Sequence, residues 1–277
     1  MKNICVLAVI TLILIIFSYL TIRLTSVLNF RFNRCFYSIS KSKALLKESF
    51  KVNNWGVTPN LLFQTYKDKS KIPDEVYETI QKYAPEYIHI VLDDTDGVNF
   101  LTEYFHPSVL KTFNKLKLGA HKADLLRYCL LYIYGGVYMD ISTELITPLS
   151  TLFPDKTVLY TVLAAFKDHI YQGVICTPPN NPIFLSLIYY IVKTGNPLFY
   201  HDFCKDFLYQ ISKDLNYSVK LGLNTSKNGN KYYILNEKCS ITNSSLCNNK
   251  FDKYGLCCLI YDKSIPVIKT RRPSYPW

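Results

Sequence analysis

Between Gly119 and Pro148 the chain reads GAHKADLLRYCLLYIYGGVYMDISTELITP, and no other stretch restricts the possible fold as tightly. From Ala120 to Tyr134 nearly every position is apolar or aromatic around the full circumference, which predicts a buried helix rather than a surface one. Asp124 and Arg127 stand out, three apart and on one face. Charges inside a buried helix must pair with each other or with a ligand, because an unpaired buried charge is very costly. Gly135 and Gly136 end the helix, since glycine takes a positive φ there without steric cost. Val137 to Met139 then predicts a short buried strand whose carboxyl end carries Asp140, Ser142 and Glu144. If the strand continues, its two-residue period sends those three side chains out of one face. Carboxylates at the carboxyl end of an α/β strand are where a divalent cation and a diphosphate can meet.

Upstream, Leu61 to Phe63 predicts a first strand with Gln64 and Thr65 at its end. Asp74 to Tyr83 predicts an amphipathic helix after Pro73, and Tyr87 to Leu92 a second strand ended by Asp93-Asp94. Strand, helix, strand, with polar residues at the strand ends, is the logic of a nucleotide fold. Asp93 is placed either to hold a ribose or base edge or simply to make a turn before Gly97. Neither standard Gly-rich phosphate loop is present. Downstream the pattern predicts strands over Val158–Ala164 and Gln172–Ile175, and helices over Ile183–Val192 and His201–Ile211. The tail from Tyr254 to Trp277 alternates apolar and polar positions, as an edge strand covering the site would.

Ile4 to Ile22 contains no charge and is apolar except at Thr11, Ser18, Tyr19 and Thr21. Nineteen residues at helical rise reach roughly 28 Å, about the thickness of a hydrocarbon core. The expected organisation is a short tail (1–3), a transmembrane anchor (4–22), a basic stem (23–57) and a catalytic domain (58–277). Arg23, Arg31, Arg34 and Lys41 follow the anchor, which on charge alone favours a cytoplasmic domain. The net charge of +11 suits anionic partners such as nucleotide diphosphates, an anionic glycan or a membrane surface. The lysines are scattered, with no basic helix, zinc knuckle or RNA-recognition motif, so no nucleic-acid partner is expected. Sequons begin at Asn216, Asn224 and Asn243. Cys239, Cys247, Cys257 and Cys258 crowd the C-terminal part, either as disulfides or as buried thiols.

The run Ala123–Tyr128 followed by Leu131–Asp140 resembles the DXD sugar-binding region of glycosyltransferase family 32, which includes Golgi α-mannosyltransferases and inositol phosphoceramide mannosyltransferases. Asn60–Lys67 and the later Ile72-Pro73 resemble that family's opening strand. The likeness covers roughly residues 58–150. It departs at Ser142, where the family pattern has its second Asp. The resemblance implies a GT-A type nucleotide-sugar-binding fold, α/β with a mixed, mainly parallel sheet flanked by helices, behind the N-terminal transmembrane helix. It implies a metal-dependent, retaining transferase moving a sugar from a nucleotide-sugar donor to a glycan or glycolipid acceptor. Mn²⁺ or Mg²⁺ would neutralise the leaving diphosphate, held by Asp140, Ser142 and Glu144, with the chain bending at Ser142 to bring Glu144 towards the cleft in place of the missing carboxylate, or with water filling that position. Asp140, Asp124 and Arg127 are the expected catalytic set, and Gln64, Thr65, Asp93, Asp124, Arg127, Tyr138, Asp140 and Ser142 the donor-binding set. His169, Gln172, His201 and Asp202 fall where such a fold builds its acceptor side. The family's Golgi members have lumenal catalytic domains, which opposes the charge rule for orientation. Because Ser142 replaces a family ligand, a weak or inactive domain that binds nucleotide sugar or glycan is the alternative.

Overall fold

The computed structural model describes residues 56–240 and 257–270. The anchor expected over 4–22 and the expected stem as far as residue 55 lie outside the described residues. Among the described residues no helix is long and apolar enough to cross a membrane.

The chain begins as expected. Strand β1 (Leu61–Thr65), helix α1 (Asp74–Tyr83) and strand β2 (Ile88–Leu92) make a parallel unit, with Leu61 opposite Ile88 and Thr65 opposite Leu92. Two helices follow that the hydrophobic pattern did not announce, α2 (Asp94–Tyr104) and α3 (Pro107–Lys115). Their starts are chemical. Asp93 caps α2 through the Asp96 amide, and Asp96 returns a bond to the Asp93 amide, a reciprocal capping box. Pro107 at the first turn and the His106 side chain begin α3.

Helix α4 (Gly119–Tyr134) is buried along most of its length, and strand β3 (Gly136–Met139) is buried at every position. Gly135 and Gly136 both have positive φ, 62° and 99°. The glycines are needed for space as well as for conformation. A Cβ on Gly135 would lie 2.5 Å from the Pro179 nitrogen, and one on Gly136 2.7 Å from the Leu61 carbonyl oxygen. This reversal lets β3 pair with β1 in parallel, Leu62 opposite Val137.

After β3 come β4 (Glu144–Leu145), the single-turn α5 (Leu149–Leu152), β5 (Leu159–Leu163), β6 (Ile170–Thr177), α6 (Pro182–Thr194), α7 (Asp202–Leu215), β7 (Gly222–Thr225), β8 (Lys231–Ser240), β9 (Cys257–Asp262) and β10 (Ile265–Thr270). All ten strands join one sheet in the order β2-β1-β3-β6-β5-β8-β9-β10-β4, with β7 on β8. The fold is mixed α/β, but the expectation of a mainly parallel sheet is corrected. Only β1–β2, β1–β3 and β5–β8 pair in parallel. The other six pairings are antiparallel. The cause is short connections: parallel neighbours need long crossovers, whereas β5–β6 and β9–β10 follow one another across a few residues. The C-terminal stretch is likewise not an edge strand over the site. It supplies a hairpin, with β10 held between β9 and β4.

One face of the sheet carries a continuous core, from Leu62 and Val137 through Val162 and Val174 to Ile260 and Ile268. Among the clustered cysteines, Cys239 of β8 and Cys258 of β9 form a disulfide between facing residues. Asn224 is not a free glycosylation acceptor. It is buried, and its amide bonds Lys220 and Gly222 around the start of β7.

Candidate functional site

Strands β1, β2 and β3 are mutually aligned, so Thr65, Asp93 and Asp140 all sit at the same, carboxyl edge of the sheet. Such an edge is where open α/β sheets hold ligands. Helix α4 brings Asp124 and Arg127 to that edge from behind. Both are buried, whereas the Asp140 side chain keeps about a third of its surface open to solvent.

Arg127 is the hub. Its guanidinium lies 3.2 Å from Asp124 Oδ1 and 3.3 Å from Asp140 Oδ1. It also donates to the Ala123 carbonyl at 3.2 Å and the Gln172 carbonyl at 2.6 Å. The Tyr138 ring stacks 4.3 Å from it. The expected Asp124–Arg127 pair is present, and Asp140 is joined to it as a second carboxylate. Burial works against the Arg127 charge, yet Tyr138, Asp140 and Asp124 outweigh it and hold the guanidinium above its ordinary range. Burial pushes the Asp124 carboxyl up to about 6, against the opposing pull of Arg127 and His121.

Asp140 is fixed from several sides. Tyr138 donates its hydroxyl to Asp140 Oδ1 at 3.2 Å, and Tyr138 shares a 2.8 Å hydrogen bond with Thr65. The Asp140 amide donates to the Gly173 carbonyl at 2.9 Å. A Cβ on Gly173 would stand 2.7 Å from Asp140 Oδ2, so glycine is what allows β6 to pass this close. Gln172, its amide nitrogen turned towards the acceptors, donates to Asp124 Oδ1 at 2.9 Å while its oxygen accepts from the Cys204 amide. Gln172 therefore braces the pair rather than standing apart on an acceptor side. Its neighbour in that expectation, His169, hydrogen-bonds Asp168 and stacks on His201, and Asp202 accepts from the Phe199 amide.

The remaining expected residues divide. Gln64 is wholly buried and reaches the Asp140 carbonyl at 3.4 Å, with its oxygen 2.8 Å from His89 Nε2. Burial holds His89 down to about 4, so the imidazole is neutral and donates to Gln64. Gln64 thus supports the end of β3 from within the sheet. Asp93 is occupied by the α2 cap and by Lys69, which also binds Asp96. Ser142 follows Asp140 by two residues, within a turn closed by the Thr143 amide on the Asp140 carbonyl at 3.0 Å. The chain bends here as expected, but the three side chains do not leave one face of one strand: β3 ends at Met139, and the bend carries Glu144 into a different strand. Glu144 pairs across β4–β10 with Lys269, whose Nζ is 3.2 Å from Oε1.

Asp140 and, two residues on in the turn, Ser142 offer one carboxylate and one neutral oxygen. This set suits a Mg²⁺-like ion that takes one or two protein carboxylates and completes its shell with phosphate and water. Elsewhere among the described residues, Glu237, Cys239 and Cys258 come close together, but the disulfide already occupies both sulfurs.

The fold and this site define an α/β domain with an arginine clamped between two carboxylates at the carboxyl edge of its parallel strands. Residues 73–159 match the family described as the glycosyltransferase sugar-binding region containing a DXD motif. The chain is 30% identical over 132 residues to an uncharacterized glycosyltransferase of Acanthamoeba polyphaga mimivirus, covering 46% of this chain and 52% of that protein. It is 32% identical over 135 residues to the mannosyl phosphorylinositol ceramide synthase SUR1 of Saccharomyces cerevisiae, covering 47% and 34%. With the initiation-specific alpha-1,6-mannosyltransferase of the same yeast it shares 30% identity over 116 residues, covering 38% and 24%. The solved PaToxG glycosyltransferase overlays with a TM-score of 0.43 at 15% identity, covering 64% of this chain and 78% of that one. The chain thus spans about half the length, or less, of these curated relatives. The resemblance read in Ala123–Asp140 is borne out: those residues lie within the stretch that matches the DXD-containing sugar-binding region.

Proposed function

We propose that the chain transfers a sugar from a nucleotide-sugar donor to a glycan or glycolipid acceptor. The observation that carries this reading is the Asp124–Arg127–Asp140 cluster, half sunk and half open, inside the matched region. A donor diphosphate is anionic at each phosphate, and the planar fork of a guanidinium with fixed orientation can meet two of its oxygens once Asp140 turns from Arg127 to a metal. Arg127 is oriented beforehand by Asp124, Ala123 and Gln172, so its binding geometry need not be assembled when the ligand arrives. Asp140, presented by Tyr138 and by the Gly173 contact, is the residue that would hold a divalent metal, with Ser142 beside it. Such an ion supplies neutralisation of the diphosphate as it leaves. A GT-A type fold, retention at the anomeric carbon, an anchor over 4–22 and a lumenal endomembrane location complete the proposal.

A second reading has its own support. Ser142 brings no charge and Glu144 is engaged by Lys269, so one carboxylate faces the open side of the site. On this reading the domain binds nucleotide sugar or glycan with little turnover. Thermal unfolding with a panel of nucleotide sugars, with and without Mn²⁺, tests both. Transfer predicts metal-dependent stabilisation accompanied by slow donor hydrolysis. Stabilisation without hydrolysis supports the binder, and no stabilisation by any donor overturns the proposal.

A further inference from the structure

The loop Gly195–His201 between α6 and α7 holds Leu198, Phe199 and Tyr200 out to solvent, with Leu198 91% and Phe199 70% exposed. The loop is pinned in this posture. Asn196 accepts from the Lys117 amide at 2.9 Å and donates to the Lys115 carbonyl at 3.1 Å. Asp202 accepts from the Phe199 amide at 2.9 Å, and His121 Nε2 donates to the Tyr200 carbonyl at 3.1 Å. The same contacts set Lys115 and Lys117 beside the loop, and Lys193 ends the helix that leads into it. None of these three lysines has a carboxylate partner among the described residues. Three consecutive large apolar side chains beside unpaired ammonium groups are too small a patch for a stable protein interface, which buries roughly 800 Å² per partner. They have the composition of a surface that enters a headgroup layer, apolar groups inward and lysines on the phosphates.

We infer that Leu198, Phe199 and Tyr200, with Lys115, Lys117 and Lys193, form a docking surface for an anionic lipid bilayer. Two further facts favour that occupant. The same chain carries an uncharged apolar stretch at 4–22 and a net charge of +11. The loop is also tied to the helix that carries Asp124 and Arg127: His121 bonds the Tyr200 carbonyl, and the two rings lie 5.5 Å apart. The inference concerns where the domain sits and stands whether or not the site performs sugar transfer.

The test uses the full chain carrying Phe199→Trp, with vesicles of phosphatidylcholine alone or mixed with phosphatidylserine, their acyl chains brominated. Emission is read as the difference from the unsubstituted chain, which removes Trp55 and Trp277. The introduced indole should shift to the blue and be quenched on the anionic vesicles, much less on the neutral ones. Adding Lys115→Gln, Lys117→Gln and Lys193→Gln should weaken loop docking by roughly fivefold per lysine. An indole that keeps its water-exposed emission on every vesicle overturns the inference, as does equal quenching on both lipids. A blue shift that grows with protein concentration in the absence of lipid also overturns it, and makes a second copy of the chain the occupant.

Discussion

Arg127 Nη1 lies 3.3 Å from Asp140 Oδ1, joining a buried helix to the exposed end of a strand. The contact gives Asp140 a cation of its own before any ligand arrives. Removing the Asp140 charge at constant shape leaves Arg127 still paired with Asp124. Asp140→Asn should therefore fold normally and lose transfer. A rate above about a tenth of the original, which is a loss below roughly 1.4 kcal/mol in the barrier, would refute the assignment.

Arg127→Lys tests the shape of the cation. Four acceptors surround the guanidinium, from Asp124, Asp140, Ala123 and Gln172, and an ammonium has only three donors. One buried acceptor is left unpaired, so stability should fall by about 1–3 kcal/mol. Donor affinity measured per folded molecule should fall too, because the two-pronged contact is lost. Reduced stability with donor affinity intact would mean that Arg127 serves only the fold.

The Asp124 carboxyl gives a pH signature. It titrates at about 6 in the folded protein and near about 3.9 in an unfolded chain. Between these values the unfolded state has released the proton and the folded state has not. Stability contributed by this group is therefore lost as pH rises from about 4 to about 6, and is level above that. Urea unfolding across this window should show a larger loss in the unsubstituted chain than in Asp124→Asn, which keeps the contribution of Asp206, likewise raised by burial. An opposite sign in the difference between the two would contradict the burial argument.

These expectations show which parts of the site were legible before the fold was known. Asp124, Arg127 and Asp140 were visible because charge in an apolar run demands an explanation, and all three meet. What brings them together was not visible. Gln172 and Gly173 are about 45 residues from Arg127 in sequence, on an antiparallel strand whose place beside β3 no local pattern encodes. His89 reads as an ordinary strand residue until the register sets it beside Gln64, and Tyr138, expected among the donor-binding residues, is set between Thr65 and Asp140. The fold behaves the same way. Long periodic elements such as α1 and α4 were readable, whereas α2 and α3 depend on capping, and the antiparallel half depends on pairings between distant strands.

Gly173→Ala probes that hidden support. Its Cβ would press on Asp140 Oδ2 and on the end of the Tyr171 ring at 2.3 Å. The Tyr171 ring is a side-chain end that can swing aside, but Asp140 is held by Tyr138 and Arg127. The substitution should reduce transfer while costing about 1–3 kcal/mol of stability, the range for overpacking. Unchanged activity with a normal unfolding midpoint would show that Asp140 has more room to move than its contacts imply.

The last prediction decides how the site tolerates Ser142. For Glu144 to replace the missing carboxylate, the bend at Ser142 would have to bring it towards the cleft beside Asp140. Instead the turn after Asp140 carries Glu144 into β4, where Lys269 neutralises it. The pair is partly exposed, so Glu144→Gln should change stability by about 0–1 kcal/mol. It should also leave Mn²⁺ binding and transfer unaltered. Ser142→Asp is different, because it sets a second carboxylate next to Asp140. The two like charges repel when the site is empty and cooperate when a cation is present. The shift in unfolding temperature on adding Mn²⁺ without donor should therefore grow in Ser142→Asp and vanish in Asp140→Asn. A strong loss of Mn²⁺ binding in Glu144→Gln would restore Glu144 as a ligand and require the β4–β10 pairing to open. If Ser142→Asp also raises transfer sharply, the native site is a weakened metal binder, and the reading as a binding domain gains over that as a full transferase.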